Sequence, residues 1–233
     1  MVNPTFLLID QPEVGVDHRR ATLEPVPHLD DPDAAFFERS YAGAVDDLAT
    51  VPWAVLAPRP ALVTWLDTQT PPAPGATALV VACGYGDDAE ELARRGWEVT
   101  AFDASPTAIE GARERFPGSA VDYRVENLFA LPPGASDLVV EIQTIQSLPL
   151  ERRAAAVAAI AAQVGPGGTL YLRASGRDDD EPVHDRPWPV SRADLAGLES
   201  AGLRRTWFTD TPDAAGRNPE NRSRMFHGTW TRP

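Results

Sequence analysis

The stretch ALVVACGYGDDAEELARRG, residues 78–96, constrains the fold more than any other part of the chain. An apolar run ends in Gly84 and Gly86, and a segment rich in Ala, Glu, Leu and Arg follows at once. A strand feeding a helix through a glycine turn is the opening unit of a doubly wound sheet, and nucleotides bind at the carboxyl end of such strands. The unit then recurs. Strand-like runs fall at 98–103, 121–126, 137–144 and 168–175, with helical spacing at 87–95, 106–115 and 151–163. This alternation predicts right-handed crossovers and a parallel sheet with helices on both faces. A helix at 191–202 precedes strand-like runs at 203–210 and 223–231, which predict a hairpin with a long connection at one sheet edge.

Upstream the pattern differs. Pro4, Pro12, Pro25, Pro27 and Pro32 punctuate a stretch without periodicity, which predicts an extended arm. Helical spacing at 33–43 and 59–67 predicts a helical lid over the entrance to the core, and TPPAPG at 70–75 separates the two parts. The expected organisation is an arm and lid at 1–75 and a core at 76–233, together one compact domain. With 233 residues, 43% of them hydrophobic, the chain is long enough to bury such a core.

Composition narrows the partners. A formal charge of −13 without a Lys/Arg cluster argues against nucleic acid. The run FLLI at 6–9 is too short for a leader or a membrane span, so a soluble, cytoplasmic monomer or homodimer with no membrane partner is expected. A lone cysteine, Cys83, leaves no internal disulfide and no multi-cysteine metal site. The acidic run RDDDE at 177–181 reads as a solvated loop, because metal sites draw ligands from separated elements; no metal is expected.

The glycine turn admits two cofactors. GYGDDA satisfies the loose pattern G-x-G-x-x-A, so a nicotinamide dinucleotide is a real competitor. A pyrophosphate, however, would rest on a helix N-terminus that opens here with Asp87 and Asp88, two carboxylates that would oppose it. A ligand without phosphates and with cationic groups meets no such repulsion, and S-adenosylmethionine is that ligand. Asp103, closing the second strand, is placed to accept hydrogen bonds from both ribose hydroxyls of either cofactor.

Four segments together resemble the class I S-adenosylmethionine-dependent methyltransferases: VVACGYG, VTAFDAS, VENLFALP and GPGG at 165–168. The resemblance covers residues 76 to about 175 and implies an α/β, Rossmann-like, seven-stranded sheet, mostly parallel with an antiparallel last strand. Within that family, FFERSYAG, VPWAVLAPRPAL and RPWPVSRADL resemble the thiopurine methyltransferase-like group. The resemblance implies that Ala82, Gly84 and Gly86 line the methionine part of the cofactor and that Asp103, with Ala104 beside it, holds the ribose. It also implies that Asn127 and Leu128 flank the adenine, that Glu141 sits near the methyl group, and that Trp53 lies across cofactor or substrate. Three positions depart from the pattern: Ala82 replaces a usual glycine, Val80 a common acidic residue, and Asn127 a frequent Asp.

The acceptor is expected to be a small apolar or aromatic molecule, with S-adenosylhomocysteine as the second product. In-line displacement from a good leaving group gains much from alignment alone, and a base matters chiefly when the acceptor is protonated. Glu141 and the loop residue His184 are the catalytic candidates; Tyr41, Trp53, Gln143 and Trp188 are the substrate-binding ones. Gln146 reads as a structural hydrogen-bonding residue, and Trp65 fits either pocket or core. No Asn-Pro-Pro-aromatic run follows the fourth strand, so planar amides and bases are disfavoured. Thiol, hydroxyl and amine acceptors stay open, with the thiol narrowly ahead. An NAD-dependent oxidoreductase and a non-catalytic cofactor-binding protein are the remaining alternatives.

Overall fold

A computed structural model describes residues 30–183, 186–212 and 224–233. Its strands are β1 Thr77–Val81, β2 Glu98–Asp103, β3 Asp122–Val125, β4 Ser136–Ile142, β5 Val164–Gly176, β6 Arg204–Pro212 and β7 Arg224–Thr231. They form one sheet in the order β3-β2-β1-β4-β5-β7-β6. The first five are parallel neighbours, and β7 runs antiparallel between β5 and β6. The predicted doubly wound sheet is therefore present, with its antiparallel strand one place in from the edge.

Alternating side chains send each strand's residues to two separate cores. Leu79, Val81, Val139, Leu170, Leu172 and Ala174 pack with α5 (Leu150–Ala161) and α6 (Arg192–Ser200) on one face. Ala78, Val80, Leu138, Val140 and Tyr171 pack on the other with α2 (Pro60–Leu66), α3 (Asp87–Arg94) and α4 (Pro106–Arg115). Trp65 of α2 belongs to this second core, its ring 4.8 Å from that of Tyr171, rather than to a pocket.

The predicted strand at 168–175 starts earlier, at Val164, despite Gly-Pro-Gly-Gly. Close backbone approach explains it: a Cβ on Gly168 would stand 2.5 Å from the Ser136 carbonyl, so only glycine lets β5 lie against β4 there. The predicted strand at 137–144 ends sooner, at Ile142, because Gln143 turns into the left-handed region at φ 65°.

The upstream helix α1 (Pro32–Ala42) starts with Asp31 accepting from the Asp33 amide and a proline in its first turn. Glu38 docks it on α4: its two oxygens accept from the hydroxyls of Ser105 and Thr107, each at 2.6 Å. Tyr41, Ala44 and Val51 pack with Tyr85 and Ala108 into a third, smaller core above the glycine turn.

Candidate active site

The turn after β1 holds three left-handed residues, Ala82 at φ 49°, Gly84 at φ 54° and Gly86 at φ 87°. An L side chain is disfavoured in that region, so Ala82 sits in a conformation better suited to the glycine usual at its position. At Gly84 a Cβ would approach the Tyr41 hydroxyl to 2.9 Å, and the bare backbone there forms part of a cavity wall. The cavity measures about 940 Å³, within the span of small-molecule sites. It lies over the carboxyl ends of β1, β2, β4 and β5, with Tyr41, Trp53 and the aromatic rings of Phe36 and Phe37 on its upstream side.

Asp103 is buried on the cavity wall. One of its oxygens accepts from the Gly84 amide at 3.0 Å and the other from the Ser105 amide at 2.9 Å. Burial nevertheless pushes its carboxyl up to about 6, the amides of Ser105, Gly84 and Ala104 pulling the other way. A carboxylate offers about four lone-pair sites, so these amides leave capacity for an outside donor such as a ribose hydroxyl. Asn127 caps the short turn that follows it by accepting from the Phe129 amide at 2.9 Å, and Asn127, Leu128 and Ala104 all line the cavity. Trp53 donates its indole N–H to the Tyr41 hydroxyl at 2.8 Å, which fixes two expected substrate-side residues as a pair. Gln143 also lines the cavity.

Other expectations are corrected. Glu141 is fully buried and off the cavity wall. The left-handed turn at Gln143 brings the chain back over it, and one carboxylate oxygen accepts from the amides of Thr144 at 2.6 Å and Ile145 at 3.0 Å. Burial pushes Glu141 up to about 7, and its contacts with the two amides tie it to the start of the Ile145–Ser147 turn. Gly86 likewise is absent from the wall: its missing Cβ makes room for the Tyr123 hydroxyl, which a Cβ would meet at 2.3 Å. Trp188 lies behind the wall, under the guanidinium of Arg186, which does line the cavity. Gln146 is buried, and its side chain accepts from the Ser175 amide as a strand-end residue would. His184 lies outside the described residues.

The carboxylates that open α3 are also not bare. Asp87 forms a two-point ion pair with Arg115 at 2.7 Å, so its charge opposes a pyrophosphate less than the sequence suggests. Asp88 accepts from the Arg59 amide at 2.7 Å, and burial raises it to about 6. Burial and the Asp103 carboxylate push the Cys83 thiol well above the usual range. In the acidic run, Asp178 pairs with Arg224, and Asp179 accepts from the Ala193 amide at the start of α6.

Sequence reasoning missed the cationic side of the cavity. Arg59, Arg152, Arg173 and Arg186 all line it. Asp31 and Asp33 neutralise Arg152, and Asp33 also pairs with Arg186 at 2.6 Å. Isolated arginines in a strand or loop read as solvated, and only the folded sheet brings these four together.

Residues 78–168 match the family model described as a methyltransferase domain. The match lies within the seven-stranded sheet described above and runs from β1 to the glycines of β5. Among curated relatives, a ubiquinone biosynthesis O-methyltransferase of Xanthomonas campestris pv. campestris is 39% identical over 109 residues, 45% of this chain and 45% of the relative. The chain thus matches about half the length of that relative. Two solved structures share the fold. A TehB-like SAM-dependent methyltransferase from Corynebacterium glutamicum superposes with TM-score 0.59 at 20% identity, over 85% of this chain and 100% of its own. The N-methyltransferase NodS from Bradyrhizobium japonicum, in complex with S-adenosylhomocysteine, gives TM-score 0.63 at 18% identity, over 83% and 98%. Among the described residues, no helix is long and apolar enough to cross a membrane.

Proposed function

We propose that the chain transfers a methyl group from S-adenosylmethionine to a small aromatic acceptor. The observation that carries this reading is Asp103: a buried carboxylate on the cavity wall, tied to the Gly84 amide, with acceptor capacity left for a ribose hydroxyl. The cradle fits that cofactor. Gly84 leaves the backbone bare beside it, while Asn127 and Leu128 bound the far end where an adenine would lie. When bound, the cofactor supplies an electrophilic methyl carbon on a sulfonium. The protein's contribution is alignment and exclusion of water, for which Trp53, Tyr41, Phe36 and Phe37 close the upstream side.

The acceptor faces an aromatic wall carrying the Arg186 guanidinium, whose centre sits 4.2 Å from the Phe36 ring centroid. A planar ring stacks well against such a surface. A hydroxyl acceptor is the first reading, since the curated relative is named as an O-methyltransferase. A thiol is the second, favoured by the pairing of Trp53 with Tyr41 at the position where the thiopurine-type resemblance places an aromatic cover.

Calorimetric titration with S-adenosylhomocysteine and, separately, with NAD tests the cofactor. We expect the first to bind and the second not, and Asp103→Asn to weaken the first by about tenfold through loss of charge-assisted hydrogen bonds. Binding of NAD alone overturns the reading.

A further inference from the structure

Two guanidiniums on the cavity wall each carry a nitrogen that nothing satisfies. Nη1 of Arg173 and Nη1 of Arg186 are both buried and have no hydrogen-bond partner among the described residues. Arg186 is otherwise held, its Nη2 donating to Asp33 at 2.6 Å. Arg173 is not: its side chain makes no hydrogen bond or ion pair with any described residue. A buried cationic N–H without an acceptor is destabilising, and an anion set beside it removes that penalty.

Three charged groups feel Arg173 without bonding to it. Arg59 and Asp88 share its face of the sheet, the one on which Tyr171 packs, and Glu141 lies on the other. On the near face two guanidiniums meet one carboxylate, which leaves one positive charge over. The amino acid end of S-adenosylmethionine, with one ammonium and one carboxylate, leaves that excess unchanged, and the sulfonium adds to it. An anion on the acceptor offsets it.

Position agrees with charge. Asn127 follows β3, Asp103 ends β2 and Gly84 follows β1, so on the cofactor reading above the nucleoside and the methionine part lie over these three strands. The ends of β4 and β5 remain for the acceptor. Arg173 pairs with Ile142 of β4, one residue beyond the level at which Val81 ends β1, and stands two strands from β1, about 10 Å across at ordinary spacing. The segment with Arg186 is fastened to the same corner. The Trp188 amide donates to the Gln146 carbonyl at 2.7 Å, and the Gln146 side chain accepts from the amide of Ser175, two residues beyond Arg173. The two guanidiniums thus bound one end of the cavity, with the rings of Phe36 and Phe37 under Arg186 and Met225 level with Ser175.

We infer that the methyl acceptor is an aromatic acid, its ring on the surface of Phe36 and Arg186, its carboxylate gripped by Arg173, and its methyl-accepting atom elsewhere on the ring. This rests on the methyl-transfer reading above and narrows its acceptor. The planar fork of a guanidinium meets a carboxylate with two parallel charge-assisted bonds, which the uncharged amide of the same ring cannot match.

The test titrates the wild-type chain, saturated with S-adenosylhomocysteine, with the three monohydroxybenzoates and thiosalicylate, and with the primary amide of each. At least one acid is expected to bind about tenfold or more tightly than its amide. Arg173→Gln, shown to be folded by thermal melting, is expected to bring that acid to within about twofold of its amide, while S-adenosylhomocysteine binds within about threefold of wild type. Acids no tighter than their amides, or no binding by any acid, overturn the acidic acceptor, and that comparison needs no variant. A preference that survives Arg173→Gln overturns the assignment to Arg173. So does a loss of about tenfold in S-adenosylhomocysteine affinity in the variant, which gives the guanidinium to the cofactor. A wild-type chain that does not bind S-adenosylhomocysteine at all overturns the cofactor reading itself.

Discussion

Glu141 shows how a single side chain's environment sets its role. Its carboxyl is raised to about 7 from an ordinary value of 4.5, first by burial, with the two amides of its turn opposing. A carboxyl raised in the folded state binds its proton more tightly there than in the unfolded chain. Its contribution is fully present below about 4.5 and is lost as pH rises through about 7. The wild type should accordingly lose stability between pH 6 and 8. Glu141→Gln, neutral throughout and still able to accept the two amides, should flatten that decline and be the more stable of the two at pH 8. Urea midpoints at both pH values measure this; equal slopes for both proteins would mean that Glu141 ionises freely. The strand-end acid was legible in the sequence, but its direction was not. Gln143, with its left-handed φ, turns the following amides onto the carboxylate, and nothing in EIQTIQS marks a glutamine for that conformation. Asp103 was readable because the glycines that meet it are close in the sequence and specific in type.

At the scale of elements, α6 illustrates how one cap organises two helices. Ser191 accepts from the Asp194 amide while Asp194 accepts from the Ser191 amide, a reciprocal capping box. The buried Arg153 of α5 donates to the same Asp194 at 2.7 Å and to the carbonyl oxygens of Trp188 and Pro189. The segment carrying Arg186 to the cavity is thereby held between α5 and α6. Ser191→Ala should cost about 1 kcal/mol. Arg153→Met should cost more, about 3 kcal/mol, because it removes the charged partner of Asp194 at 2.7 Å and the side-chain donor to the Trp188 carbonyl. Denaturant unfolding of both variants checks the order; a smaller loss for Arg153→Met would show that the helices are held by apolar packing alone. The order and kind of the elements were legible from apolar periodicity, since each helix and strand carries its own signal. Which arginines would share a cavity was not, because Arg59 and Arg173 meet only after the crossovers place α2 beneath β5.

For the molecule as a whole, the contrast is between an acidic chain of formal charge −13 and a cavity lined by four arginines. Helix α1 closes the upstream side of that cavity and is tied to the rest partly by charge. Arg152 reaches Asp31 and Asp33 at 2.6 and 2.9 Å, and Arg186 reaches Asp33 at 2.6 Å. The side chains of Arg152 and Arg186 remain 26% and 23% exposed, so dissolved ions can screen these pairs. Between about 0.1 M and 1 M salt the screening length falls from about 10 Å to about 3 Å. Amide hydrogen exchange in α1 should quicken over that interval while β1 and β4 stay unchanged. Exchange insensitive to salt would assign the closure to the packing of Tyr41, Trp53 and Tyr85 instead. Asp33 is the knot, shared by two arginines that line the cavity. On the proposed cofactor reading, the electrolyte around the protein would set how long a nucleoside stays once inside, making the residence time of S-adenosylhomocysteine a property of the medium as much as of the site.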